Sequence, residues 1–367
     1  MTKNVSVAII GAGPAGLTAA VILRRHGHDV KIYEGEASPM LRLQGGSLDL
    51  HEDKAQLALR HAGLLDDFRL AARHQDQVNR MIDPVTGMAQ SLPPYPGQEL
   101  DRPEIDRGVL RDLLRAALPE ETILWGARLK AVQAGENDVH TLHFCDGRSA
   151  KANIVIGTDG AWSVVRKVLT SIEPFYTGIT FFEGWIERPT EAQAALVGRG
   201  TMFAFGGPDA IFAQRNGEGW LCVYAAMKRS QAWLDEGRRK NPKAEVDEAY
   251  TSWASNLVDL LAACPDFRPR PIYSLPADAD WPQRRGIYLV GDADHLMPPM
   301  GLGVNLAMLD AAELAIAIAT QGDWRSEADN AALAIRKRGQ SHIREAIPGF
   351  AEWFSGASPF LAVAKEG

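Results

Sequence analysis

Apolar positions along this chain follow two periods, and the switches between them mark its elements. Val5-Ser-Val-Ala-Ile-Ile10 is a short, nearly continuous apolar run rich in β-branched residues, the pattern of a strand buried in a parallel sheet. Gly11-Ala-Gly13-Pro-Ala-Gly16 follows it, and helical spacing then runs from about Pro14 to His26. Pro14 suits a first turn, where its missing donor is not needed, and Gly27 suits the stop. Asp29-Val-Lys-Ile-Tyr-Glu34 predicts a second strand. Lys151–Gly157 and Gly286–Val290 predict two more, each running into a glycine turn, the first followed by a helix start. From about 174 to 271 the texture becomes alternating, in Gly200–Phe205, Ala210–Gln214 and Trp220–Ala225. Gly206-Gly-Pro208 and Asn216-Gly217 separate these runs, and Asn-Gly before a β-rich run predicts a hairpin. Amphipathic helices are predicted over Glu104–Arg115, with Ile105, Leu110, Leu113 and Leu114 inward, and near Pro242–Cys264. Others are predicted over 305–320, Ala331–Ile347 and Phe350–Phe354.

The first glycine run has a physical reading. Gly11 permits a tight turn, Gly13 lets backbone approach a pyrophosphate, and Gly16 lets helix pack on strand, with Ala15 beside it. The helix behind it aims free amides and a positive dipole end at the phosphates. Glu34 lies 18 residues after Gly16 (34 − 16), near the spacing of about 20 for a ribose hydroxyl acceptor. That motif by itself says only that a dinucleotide binds. The second glycine run, Gly291-Asp292-Ala-Asp-His295-Leu-Met-Pro298-Pro299-Met-Gly301-Leu-Gly303-Val-Asn305, stands directly behind a strand. Gly291 allows a sharp turn, and Asp292 can accept a hydroxyl. Asn305 suits the cap of the helix that follows.

Together the two runs resemble the class A FAD-dependent aromatic hydroxylases, the p-hydroxybenzoate hydroxylase-like family, and within it the tetracycline-inactivating branch. Three further segments carry the resemblance. Arg42-Leu-Gln-Gly45-Gly46-Ser47-Leu-Asp49-Leu-His51 is similar to the segment that runs beneath the flavin. Arg107 and Arg111 share one helix face, where the family keeps an arginine for the FAD pyrophosphate. Asp159-Gly160-Ala-Trp-Ser163-Val-Val-Arg166 resembles the family's Asp-Gly motif, which braces the pyrophosphate and the groove visited by the nicotinamide donor. The resemblance implies an α/β fold: a doubly wound, glutathione reductase-like FAD-binding domain (1–75, 101–173, 272–330), an inserted antiparallel β-sheet substrate domain (76–100, 174–271) and a C-terminal bridging helix (331–367). It implies FAD held by Gly11, Gly13, Ala15, Gly16, Glu34, Arg42, Gly46, Asp49, Arg107, Arg111, Asp159, Asp292, Pro299, Gly301, Gly303, Val304 and Asn305. Phe203, Phe205, Phe212, Tyr224 and Met300 would wall a substrate pocket. His51 is read equally as a flavin-side residue or as ordinary solvated surface. His295 is expected to be structural rather than catalytic, and no protein side chain is expected to act as nucleophile.

The activity so implied is reduction of FAD by NADPH or NADH, reaction with O2 and transfer of one oxygen atom to an aromatic or polyketide-like small molecule through a flavin C4a-hydroperoxide. Tetracycline is one candidate. A flavin dehydrogenase or reductase without oxygen insertion, or an FAD-loaded ligand-sequestering protein, stands as the alternative. Two departures bear on this: Asp294 stands where the family has Ala, and the Pro-Pro to Asn segment is one residue shorter. Composition narrows the rest. A net charge of −7 over 367 residues gives no footprint for nucleic acid or anionic lipid. Cys145, Cys222 and Cys264 fit no metal spacing and read as reduced cytoplasmic thiols. No apolar stretch approaches the roughly 18 residues of a membrane span. A monomer is expected, with a dimer contact through the C-terminal helix as the competing view.

Overall fold

The computed structural model describes residues 5–38, 45–90, 101–135, 138–237, 241–320 and 322–355; Arg42 therefore lies outside the described residues. Five parallel strands make the first sheet, in the order Ile287–Leu289, Ile154–Gly157, Ser6–Ile10, Asp29–Tyr33, Ile123–Leu124. The earliest strand sits at its centre, so its apolar run is covered on both sides. On one face the Pro14–Arg25 and Gly303–Ala319 helices pack against Ile9 and Ile32 through Leu17, Ile22 and Leu314. On the other lies a three-stranded antiparallel sheet, Leu129–Gln133, His140–Phe144 and Ser149–Ala152, with Leu142 and Phe144 against Ile10 and Val155. Each fully buried Leu, Ile or Phe contributes about 1.5–3 kcal/mol.

Among the described residues the second large sheet has seven strands, in the order Arg268–Ser274, Phe175–Ile186, Leu221–Lys228, Asp209–Arg215, Gly200–Phe205, Val78–Ile82, Ala89–Gln90. It is antiparallel except where Gly200–Phe205 runs parallel to Val78–Ile82. Strand alternation divides its side chains between two faces. Met202, Ile211, Val223 and Phe182 pack against Tyr250, Leu257 and Leu260 of the helical layer. Phe181, Phe205 and Phe212 point the other way, with Tyr224, toward the C-terminal helix. No helix among the described residues is long and apolar enough to cross a membrane.

Several expected elements are redrawn. Glu104–Asp106 is a strand paired with Ser47–Asp49, and the helix behind it runs only over Arg107–Ala116. The helix expected near Pro242–Cys264 is two, Pro242–Ala249 and Ser255–Ala262. It breaks where Tyr250 and Trp253 pack edge to face, at 4.9 Å between ring centroids, and the Ala254 amide donates to Pro84 O. The turn after Asp159 leads into a 3-10 turn, Arg166–Val168, rather than an α-helix. The two C-terminal helices are one, Trp324–Trp353, with Pro348 inside it. The Asn216-Gly217 hairpin forms, with a five-residue connection between its strands.

Candidate functional site

The first glycine loop carries its reasons in its geometry. Gly11 has φ of 107°, and a Cβ there would lie 2.6 Å from Thr158 O. A Cβ on Gly16 would overlap Gly11 O and lie 2.6 Å from Thr158 Oγ1. Gly13 is different: a Cβ there would meet nothing within 4 Å. It stands at the N-cap of the Pro14–Arg25 helix, whose first turn holds no acidic residue. Open space over a bare helix N-terminus suits a pyrophosphate. Ala15, in the helix's first turn, is buried.

Glu34 and Arg111 brace this loop from behind. Glu34 accepts from the Ala12 amide at 2.6 Å and from the Glu36 amide at 2.8 Å. Arg111, buried at 6% exposure, donates to Ala12 O at 3.0 Å and to Glu36 at 3.1 Å. Its guanidinium lies 5.5 Å from the Trp125 ring centre. Arg111 thus holds the loop's backbone. Arg107 faces Gly45, and its Nε is buried with no partner among the described residues; that orphan donor suits an anionic group. Arg111→Ala removes the bonds that order the loop at Ala12, worth roughly 1.5–3 kcal/mol, and should weaken FAD by up to that amount through the loosened loop. An FAD titration with unchanged affinity would reject this role.

The second glycine loop is stitched to the Gly45–His51 segment by one side chain. Asn305 is fully buried; its Oδ1 accepts from the His51 amide at 2.7 Å, and its Nδ2 donates to Asp49 O at 2.9 Å. It does not cap its helix, which begins two residues earlier at Gly303. The amide matches a backbone donor and acceptor 254 and 256 residues away in sequence, a use that no local cue announces. His51 is buried and its Nε2 lies 3.0 Å from the Asp49 carboxylate. Pro299 and Gly301 are exposed, and Gly303 and Val304 are half-buried in the helix's first turn.

Gly291, at φ of 60°, turns the chain so that Asp292 is exposed while Asp294 and His295 are buried. Asp294, the departure noted above, pairs with Arg336 of the C-terminal helix at 2.9 Å. Arg336 in turn sits 3.7 Å from the Trp281 ring centre. His295 pairs with Asp310, which also accepts from Arg338. Burial by itself lowers the His295 imidazole, but the Asp310 carboxylate, with Asp294 and Asp292 adding to it, outweighs burial and raises the group to about 9. His295 is a structural cation. Asp159 likewise serves the fold: its carboxylate accepts from Ser163 Oγ at 2.5 Å and from the Val164 amide at 2.7 Å, closing its own turn. Arg166 ties that turn to Ala293 O at 3.0 Å.

The five expected pocket residues share one cluster. Phe203, Phe212 and Tyr224 stand opposite one another across three strands. Phe205 and Phe212 are covered by Trp353, at 5.6 and 6.0 Å between centroids, so the C-terminal helix closes this end. Met300 brings the second glycine loop into the same cluster. At the other end the Gly46 amide donates to Tyr224 Oη at 3.3 Å, and a Cβ on Gly46 would overlap the Gln214 carboxamide. Beside this face a groove of about 550 Å³ opens between Trp162, Arg270, Tyr273, Met297 and Pro299.

Sequence reasoning missed Ser47, Arg73 and Glu104. Glu104 is buried and accepts from Ser47 Oγ, which also accepts from Arg73 at 2.8 Å. Burial pushes the Glu104 carboxyl up to about 7, against the Ser47 hydrogen bond. Only strand pairing brings these residues together, so spacing gave no signal.

Comparison with known proteins agrees with this geometry. Residues 4–334 match the family described as "FAD binding domain". Monooxygenase penA of Penicillium thymicola is 28% identical, over 96% of this chain and 91% of its own length. The 6-hydroxynicotinate 3-monooxygenase of Bordetella bronchiseptica is 28% identical, over 84% and 81%. The crystal structure of tetracycline destructase Tet(51) superposes with a TM-score of 0.74 at 19% identity, over 97% and 93%. With the glycine cradle on the page and a family match that runs from residue 4 to residue 334, the chain belongs to the FAD binding domain family, the class A flavin monooxygenases.

Proposed function

We propose that this protein uses NADPH or NADH and O2 to hydroxylate an aromatic or polyketide-like small molecule. The observation that carries this reading is the meeting of two loops on one aromatic sheet face, Gly46 at Tyr224 and Met300 at the phenylalanine cluster. Bound FAD supplies the redox and oxygen-activating chemistry. The protein's residues then have definite tasks. Gly11, Gly13 and the Pro14–Arg25 helix N-terminus would hold the pyrophosphate, with Arg107 as a further donor. Glu34 would accept a ribose hydroxyl and Asp292 a ribitol hydroxyl. The first-turn amides of the Gly303–Ala319 helix favour negative charge on whatever they face. Phe203, Phe205, Phe212, Tyr224 and Trp353 exclude water and orient a flat ring.

The Bordetella relative acts, by its name, on 6-hydroxynicotinate, and the Tet(51) likeness motivates testing tetracycline. A net charge of −7 and buried Cys222 and Cys264 suit a cytoplasmic enzyme without nucleic-acid partners. The deciding experiment is oxidation of NADPH and NADH by the FAD-loaded protein, with and without an aromatic panel including tetracycline, read by mass spectrometry. Substrate-stimulated turnover with a product heavier by one oxygen supports the reading. Turnover with no oxygen inserted favours the reductase alternative, and ligand binding without turnover favours sequestration.

A further inference from the structure

We infer that Glu183, with its partner Arg270, forms the polar pole of the substrate chamber and selects ring compounds that carry hydrogen-bond donors and lack a carboxylate. The inference rests on the hydroxylase reading above for the chamber's identity, and it goes further by assigning a charge preference.

The ladder registers sort the chamber face into three rows. Phe181 stands opposite Ala226, which stands opposite Ala210, which stands opposite Phe205. The next row is Glu183, Tyr224, Phe212 and Phe203; the third is Trp185, Cys222, Gln214 and Thr201. Directly opposed residues point to the same side of a sheet. The face therefore grades from Phe181, Ala226, Ala210 and Phe205, under the C-terminal helix, to polar, where Gln214 and Tyr224 meet Gly46, and Arg270, opposite Phe181, closes the first row at the sheet edge. Glu183 sits on this gradient at 6% exposure.

A carboxylate this buried is held there by partners. Glu183 Oε2 accepts from Arg270 Nε at 3.2 Å, and Oε1 accepts from Trp185 Nε1 at 3.3 Å and from Arg270 Nη2 at 3.5 Å. Arg270 also lines the groove that opens beside the face. Two consequences follow for a ligand. The cation at the chamber mouth is already engaged, and Arg268, opposite Glu183 in the ladder, is exposed at the sheet edge. A ligand carboxylate would meet a like charge in a partly dry space. A ring N–H or O–H instead meets an acceptor with lone pairs to spare, in a charge-assisted bond.

The test uses the FAD-loaded protein without reductant, titrated by flavin difference absorbance. Three matched pairs serve as probes: resorcinol and 2,4-dihydroxybenzoate, 2,6-dihydroxypyridine and its 4-carboxylate, 4-hydroxy-2-quinolone and its 3-carboxylate. We expect at least one core to bind about tenfold tighter without its carboxylate, and Glu183→Gln to reduce that ratio below about threefold. Arg270→Gln, which frees Glu183, should widen it. A tighter carboxylate in any pair, a ratio unmoved by Glu183→Gln, or no binding by any probe overturns the inference. Should neither variant load FAD, the ratio in the natural protein decides. Because binding is read without turnover, discrimination with no hydroxylated product would sink the hydroxylase reading and leave this one standing.

Discussion

Gly13→Val folds as the natural protein does and takes up almost no FAD. The backbone at Gly13 is extended, with φ of −78° and ψ of 176°, which any residue adopts. Its Cβ would enter open space, so the apoprotein has nothing to lose, and its Tm should stay within about 2 °C. The same open space is where the pyrophosphate must approach the helix N-terminus. An isopropyl group there keeps phosphate oxygens from the amides. FAD affinity should fall at least about a hundredfold, or ~2.7 kcal/mol. Gly16→Val is the control, since its Cβ would strike Gly11 O and Thr158 and should cost the fold as well. The measurements are FAD titration by fluorescence quenching and thermal unfolding of the apoprotein. Normal FAD uptake by Gly13→Val would show that this loop does not hold the pyrophosphate.

Asp310→Ala should destabilise the protein by about 3–5 kcal/mol, the cost of breaking a buried pair by removing one partner. Asp310 is fully buried and His295 nearly so. Arg338 would keep Glu313, so the loss falls mainly on the imidazolium. The pair joins the turn after Gly291 to the Gly303–Ala319 helix, and Arg338 extends it to the C-terminal helix. The pH dependence has a definite sign. His295 is raised from 6.5 to about 9 in the folded protein, so its contribution is complete below about 6.5 and is lost as pH rises through 9. The natural protein's Tm should therefore decline across that window, and Asp310→Ala should lack that part of the decline. Parallel Tm curves for the two proteins would refute the assignment.

The Ser6–Ile10 strand, the glycine loop and the Pro14–Arg25 helix were legible because each is decided locally. A continuous β-branched run, a proline in a first turn and glycines at a tight crossing leave the chain few choices. The hairpin at Asn216-Gly217 was legible for the same reason. Glu104–Asp106 has a helical pattern because Ile105 also fits a 3.6-residue period, and what makes it a strand is its partner Ser47–Asp49, far away in sequence. The Pro242–Ala249 and Ser255–Ala262 helices share one apolar pattern along the sequence; Tyr250 and Trp253 divide them by packing.

The site divides along the same line. Sequence alone determined which segments are candidates for it: two glycine runs, the Gly45–His51 segment, the Asp159 turn and an aromatic alternating region. Each is a backbone demand or a face pattern that survives without knowing its neighbours. Only the tertiary structure decided what the polar side chains do. It turned Asn305 from a cap into a clasp on Asp49 and His51, and Asp159 into the brace of its own turn. It made His295 a buried cation on Asp310 and placed Glu183 with Arg270 at the chamber's polar end. A buried polar group must find its partner in three dimensions or lose more than it gains, and no spacing along a chain records where that partner will be.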